Sequence, residues 1–179
     1  GWVIGEIVRR TDPKQRPFGR FVQEEICQPL GIDSLWLGIP DEAEPRVAKL
    51  TNIPAASPGT SRTTVGPLHE LAIPPRVGTT QEVFGRADVR RSCLPGAGGI
   101  MNARSEARFF AMLAGSGALD GVRLLSEERV RWFSVPRPPC DYDPVAGVPH
   151  RIGIGGFHLP GKANMAPVGL NSRNFVHPG

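Results

Sequence analysis

Cysteine is scarce here, and its three occurrences, Cys27, Cys93 and Cys140, are far apart and odd in number. No two have the C-x-x-C or zinc-ligand spacing, which excludes a disulfide framework and a cysteine metal centre. Such sparse use favours a reducing compartment, and the cytoplasm is the expected location. No apolar run approaches the roughly 18–20 residues of a membrane span. The opening Gly1-Trp2-Val3-Ile4-Gly5-Glu6 has neither an initiating methionine nor the basic n-region of a signal peptide. No internal repeat occurs. No serine is followed three residues later by lysine, so one nucleophile-and-base pairing used for acyl transfer is missing from this stretch.

Glycine (22) and proline (19) are abundant, which lowers the expected helix content and implies long irregular connections. A length of 179 residues with 40% hydrophobic content suits one domain. The formal charge is +4, but the basic pairs Arg9-Arg10 and Arg90-Arg91 lack the aromatic interleaving of a single-strand binder. Residues 151–179 carry Arg151, Lys162 and Arg173 with no acid. These charges describe a solvated surface, and no nucleic-acid partner is expected.

Val3, Ile4, Ile7 and Val8 recur at three- and four-residue spacing, which predicts an amphipathic helix over 2–10 stopped before Pro13. A second helix follows Pro17 with Phe18, Phe21, Val22 and Ile26 as its apolar stripe, closed by Pro29 and Gly31. Cys27 falls within it as a buried small hydrophobe. Residues 34–39 read as extended, and 45–50 as a brief strand or turn. The Pro/Gly-rich stretch 52–76 is read as a lid or substrate-wall insertion in preference to a flexible linker, because Val65, Leu68, Leu71 and Ile73 give it apolar anchors that a free linker would not need. Asn102 is a suitable N-cap for a helix over 103–114 whose inner face is Ala107, Phe110, Ala111 and Ala114, widened by Phe109, Met112 and Leu113. Residues 119–123 read as a loop. Ser126 caps a further helix with Glu127 and Glu128 in its first turn. Alternating Ile152, Ile154 and Phe157 suggest a strand packed closely against another element, and Phe175-Val176 lead towards a final strand. Together these elements give an α+β fold, helices packed against a small, incomplete antiparallel sheet.

Few residues offer independent chemistry. Gly98-Gly99 before a helix lacks the lysine of a phosphate-binding loop and reads as a packing turn. His69, His150, His158 and His177 have no metal-ligand spacing, and Tyr142 with Asp141 and Asp143 reads as a turn. No cofactor and no metal is expected.

Several segments nevertheless resemble one family. Residues 1–10 resemble the helix after the tyrosine-containing second motif of beta-lactamase-related serine hydrolases. Phe21 to Ile32 is similar to their helix ending in Pro-Leu-Gly-aliphatic. Pro95-Gly96-Ala97-Gly98-Gly99-Ile100-Met101-Asn102 resembles their glycine-rich turn, and Leu124-Leu125-Ser126-Glu127 their Leu-Ser-x-Glu helix opening. His177-Pro178-Gly179 resembles their third active-site box in its His-x-Gly form, found in the esterase-like branch instead of Lys-Thr-Gly. The ordered set spans nearly the whole chain.

The resemblance implies a partial penicillin-binding-protein-like α+β fold, with 1–179 forming part of one domain. It implies a serine hydrolase acting on ester or amide substrates through an acyl-enzyme, with no cofactor. His177 would position substrate and Gly179 would supply third-box backbone. Nucleophile, lysine and second motif would precede Gly1 in the family layout, and the final strands would follow Gly179. The chain is thus expected to be an internal fragment, inactive alone and prone to aggregate or to need the remainder of its fold. The alternative reading is a noncatalytic interaction module derived from the same fold.

Overall fold

The computed structural model describes residues 1–51, 66–74, 77, 81–138, 142–145, 147, 151–160, 171 and 173–177. Among them run α1 (Trp2–Thr11), α2 (Phe18–Val22), β1 (Leu35–Leu37), α3 (His69–Ala72), α4 (Gln81–Phe84) and α5 (Ala87–Arg91). β2 (Gly99–Met101), α6 (Ala103–Ala114), β3 (Ala118–Leu119), β4 (Val122–Arg123) and α7 (Glu127–Phe133) follow. They divide into two compact units: Gly1–Asn52 with Thr79–Leu124, and Ile53–Gly78 with Leu125–Gly179.

In the first unit α1 and α2 form where the apolar spacing requires them. The second helix then departs from the expected pattern. Gln23–Cys27 winds as a single π turn, with Gln28 N–H donating to Gln23 O at 2.9 Å and Ile32 N–H to Cys27 O at 2.8 Å. The wider i→i+5 turn rotates the following side chains. Cys27 is therefore fully buried while Ile26 is only half-buried, so Val22 and Cys27 carry the inner face instead of the stripe ending at Ile26. Burial pushes the Cys27 thiol up to about 11, which leaves it a packing group with little thiolate. Leu30, Ile32, Ile39, Met112 and Leu113 complete the core.

Arg16 is the buried cation of this unit. Its guanidinium meets Asp12 through two 2.8 Å hydrogen bonds and Glu24 and Glu25 at 2.7 Å each, and it lies 5.2 Å from the Phe21 ring centroid. Asp12 is held below the usual carboxylate range by Arg16, and Glu24 by Arg20 and then Arg16. Arg16→Met should lower the melting temperature by roughly 10 °C at neutral pH, because it strands carboxylates around a buried site. Depressed carboxylates contribute stability that is complete above the unfolded value near pH 4 and is lost as pH falls through the folded value. The gap between wild type and Arg16→Met should accordingly close as pH falls from about 5 to about 2; a gap constant across that range would refute this account.

β1 and β2 pair antiparallel in the register Leu35↔Met101, Trp36↔Ile100 and Leu37↔Gly99. Asn102 then caps α6, its Oδ1 accepting from Ser105 N–H at 2.8 Å. The helix has the predicted limits, and its inner face is centred on the residues expected to widen it, Met112 and Leu113, and not on the alanines. Ser105, Met112 and Leu113 are buried, whereas Ala107, Ala111 and Ala114 are exposed. Two polar anchors set this rotation: Ser34 N–H donates to Ser105 Oγ at 3.2 Å, and Arg108 Nε donates to Leu30 O at 2.8 Å. The expected loop at 119–123 is a tight hairpin, Ala118↔Arg123 and Leu119↔Val122. Asp120 (φ 49°) and Gly121 (φ 81°) form its two-residue turn, the Asp-Gly chemistry that such hairpins favour.

In the second unit Ser126 Oγ accepts from Arg129 N–H at 3.1 Å and opens α7, as its sequence predicts. The expected strand over 151–159 is instead a reversal. Gly153 N–H donates to Phe157 O, Leu159 N–H to Arg151 O, and Gly156 (φ 86°) sits in the turn. Close packing on another element is present: Ile154 N–H donates to Val135 O at 2.8 Å, beyond the end of α7. Of the insertion read at 52–76, residues 52–65 and 75–76 lie outside the described residues. Gly66 and Leu68 N–H donate to Val145 O and Pro144 O. Its anchors do not behave as expected, since Leu68, Leu71 and Ile73 are all exposed. Only Leu71 lies within α3, whose caps are Leu68 and Ile73, so no single helix face gathers the three. Val65 is outside the described residues.

Candidate functional site

Two regions carry the residues with chemical potential, one in each unit. The first is a cleft of about 1020 Å³ in the first unit, with Trp36, Phe84, Ile100 and Met101 among its apolar lining. Its polar wall is built from the short 3₁₀ helix Asp41–Arg46, whose sequence Asp-Glu-Ala-Glu-Pro-Arg places acids early and arginine last. Arg46 donates to Ser34 Oγ at 2.7 Å and lies 5.6 Å from the Trp36 ring centroid, so the indole is fixed by a cation on its face. Arg90 donates to Glu44 Oε1 through Nε at 3.0 Å and also through Nη2. This pairing holds the Glu44 carboxyl below its ordinary value. Glu44 Oε2 is buried with no hydrogen-bond partner among the described residues.

The glycine-rich turn at 96–99 borders this cleft through Gly98 and Gly99. Its tightness is structural: Gly98 N–H donates to Leu94 O at 2.8 Å, and a Cβ on Gly98 would lie 2.7 Å from Leu94 Cβ. Trp36, Arg46 and the Glu44–Arg90 pair were not legible as site residues in the sequence. Only the acidic run over 41–44 closed by Arg46 hints at the polar wall.

The second region surrounds His177 in the second unit. Val176 and His158 exchange two backbone hydrogen bonds of 2.8 and 3.0 Å, an antiparallel bridge. His158 also bridges Ile152. Phe157 lies between Phe133 and Phe175, at 6.1 and 4.9 Å between ring centroids. Val176 is thus paired with His158, and His177 follows immediately beyond it with its side chain exposed. Gly179 lies outside the described residues, as do Pro178, His150, Cys140 and Asp141. Tyr142 stands beside a turn in which Asp143 Oδ1 accepts from Val145 N–H at 2.7 Å. No helix among the described residues is long and apolar enough to cross a membrane.

Comparison with known proteins places these regions in context. A family model described as "Beta-lactamase" matches residues 1–158. The chain is 29% identical over 189 residues to "Esterase/beta-lactamase LipL" of Mycobacterium tuberculosis (strain ATCC 25618 / H37Rv), covering 100% of this chain and 41% of that protein. Among solved structures it resembles a penicillin-binding protein homologue from Caulobacter crescentus, with a TM-score of 0.79 and 32% identity over 99% of this chain and 44% of the other. A family VIII carboxylesterase superposes with a TM-score of 0.79 and 26% identity, again over 99% and 44%. The chain thus spans less than half the length of these relatives. Its α+β architecture is that of the beta-lactamase and penicillin-binding-protein fold.

Proposed function

The chain belongs to the beta-lactamase family, and from that membership we propose that it is part of a serine hydrolase cleaving carboxylic esters, or beta-lactam-like amides, through an acyl-enzyme. The observation that carries this reading is the family match over residues 1–158. The esterase wording in the names of LipL and of the family VIII carboxylesterase favours esters.

In this reaction a serine oxygen attacks the substrate carbonyl, the alcohol or amine leaves with a proton, and water then releases the acid. The serine and its lysine belong to the part of the family fold that this chain's match leaves uncovered, since no Ser-x-x-Lys occurs here. His177 is a positioning residue of the third box, and Gly179 contributes backbone beside it. The antiparallel bridge at Val176 supports this role, because a paired backbone holds the following side chain in a set direction. The insertion 52–76 forms a wall or lid of the substrate site, and the whole chain is part of one domain. The substrate is a small-molecule ester or amide; neither nucleic acid nor a cofactor takes part.

In a protein of full family length, His177→Ala should lower kcat/KM by about 100-fold with little change in melting temperature. His177→Lys, the other form of the third box, should recover part of the loss and shift the pH profile. Turnover unchanged in His177→Ala would reject the assignment.

A further inference from the structure

Arg46 is fixed by contacts that leave most of its hydrogen-bonding capacity unused. One guanidinium nitrogen donates to Ser34 Oγ at 2.7 Å, and the planar group lies 5.6 Å from the Trp36 ring centroid. Ser34 is 2% exposed, so the acceptor is itself anchored in the core. A guanidinium carries more N–H donors than this single bond uses, and Arg46 makes no other hydrogen bond among the described residues. Neither Arg46 nor Lys49 forms an ion pair there. Both line the cleft of about 1020 Å³, whose apolar wall includes Trp36, Val47, Phe84 and Met101. The remaining charges of the wall are committed elsewhere: Arg90 is bound to Glu44, and Glu82 is engaged in a contact of its own. The charge left over in the cleft is therefore positive.

We infer that this cleft binds a small monocarboxylate with an apolar body, its carboxylate on Arg46 beside Lys49 and its hydrocarbon against Trp36, Phe84 and Met101. An unpaired arginine is ordinary where its side chain moves freely, because a partner must then offset the rotamer entropy lost on ordering it. Here the indole and the buried hydroxyl have already ordered it, so an incoming anion meets preset donors. The planar guanidinium matches a carboxylate with parallel N–H bonds, and the apolar wall takes the rest of the molecule. An amine fits less well. Glu44 Oε2 and Gln81 Oε1 are acceptors without partners among the described residues, but both are shut off from solvent, and Arg90 already neutralises Glu44. Every residue of the site belongs to the first unit, and the inference rests on neither family membership nor hydrolysis.

The test is calorimetric titration of the full chain with 4-phenylbutyrate, 4-phenylbutylamine and 4-phenylbutanol, which share a body and differ in the head group. Phenylbutyrate should bind about tenfold more tightly than either of the others. It should also shift the indole resonance of Trp36 and leave those of Trp2 and Trp132 in place. Arg46→Gln should weaken binding by about tenfold. Because that change also removes the bond to Ser34, Lys49→Glu is the second variant. Lys49 has no partner to lose, so the melting temperature should hold while binding again falls by about tenfold. The same preference is expected in a protein of full family length. The inference is overturned if phenylbutyrate does not bind, if the amine or the alcohol binds as tightly, or if Trp36 is unperturbed. It is equally overturned if either variant binds like the wild type, or if binding to the chain disappears in the longer protein. Turnover is not the readout, so an inactive protein that binds phenylbutyrate in this way would count against the function proposed above and leave the site intact.

Discussion

Incubated with a p-nitrophenyl short-chain ester, the 179-residue chain alone should release nitrophenol no faster than a heat-treated control, and a fluorophosphonate probe should label none of its serines. The reason lies in what five of the six described serine hydroxyls already do. Ser34 accepts from Arg46, Ser105 from Ser34 N–H, and Ser126 from Arg129 N–H. Ser92 and Ser134 donate to the carbonyls of Asp88 and Arg131. Ser34 and Ser105 are also buried. None is followed three residues later by lysine, so the proton acceptor that would raise a hydroxyl to a nucleophile is not built beside it. Losing nucleophile and base together removes the covalent route altogether, an effect larger than the 10²- to 10³-fold of a single oxyanion donor. Stoichiometric serine labelling with turnover would overturn the prediction. A protein of full family length that folds but neither labels nor turns over would favour the noncatalytic interaction module.

Leu30→Ala should destabilise the first unit by about 2–5 kcal/mol, the range for removing a buried leucine side chain from a packed core. Leu30 is 2% exposed, and its carbonyl accepts from Arg108 at 2.8 Å, so the residue joins the end of the π turn to α6. The hydrogen bond survives the substitution, which confines the loss to packing. Leu71→Ala serves as the comparison: that side chain is 78% exposed, and its loss should change stability by no more than about 0.5 kcal/mol. Thermal melting at low protein concentration, followed by far-ultraviolet circular dichroism, measures both. Equal shifts for the two variants would mean that the core is not centred where Leu30, Cys27 and Met112 place it.

Much of this was legible in the sequence wherever a local signal decides the backbone. Asn102 and Ser126 cap their helices through their own oxygens, and the limits of α1 follow from apolar spacing and the approach of Pro13. These are short-range effects, settled within one turn of chain. The ordered motifs from residues 1–10 to Ser126 pointed to the family that the comparison found. The Asp-Gly hairpin at 120–121 is equally local in origin, although residues 119–123 read as a loop in the sequence.

What only the tertiary structure decided was which way elements face. The inner face of α6 is set by Ser105 and Arg108 reaching back to Ser34 and Leu30, partners more than seventy residues distant. The π turn brings Cys27 inward because its backbone closes over five residues, which apolar periodicity at 3.6 residues does not encode. The cleft draws on β1, the 41–46 turn, α4 and β2, and its Glu44–Arg90 pair joins residues 46 apart. The exposure of Val3, Ile4 and Ile7 on α1 has the same origin. Its amphipathic spacing specified a helix with an apolar face, but burial of that face depends on a partner surface, and the spacing within one helix carries no information about one.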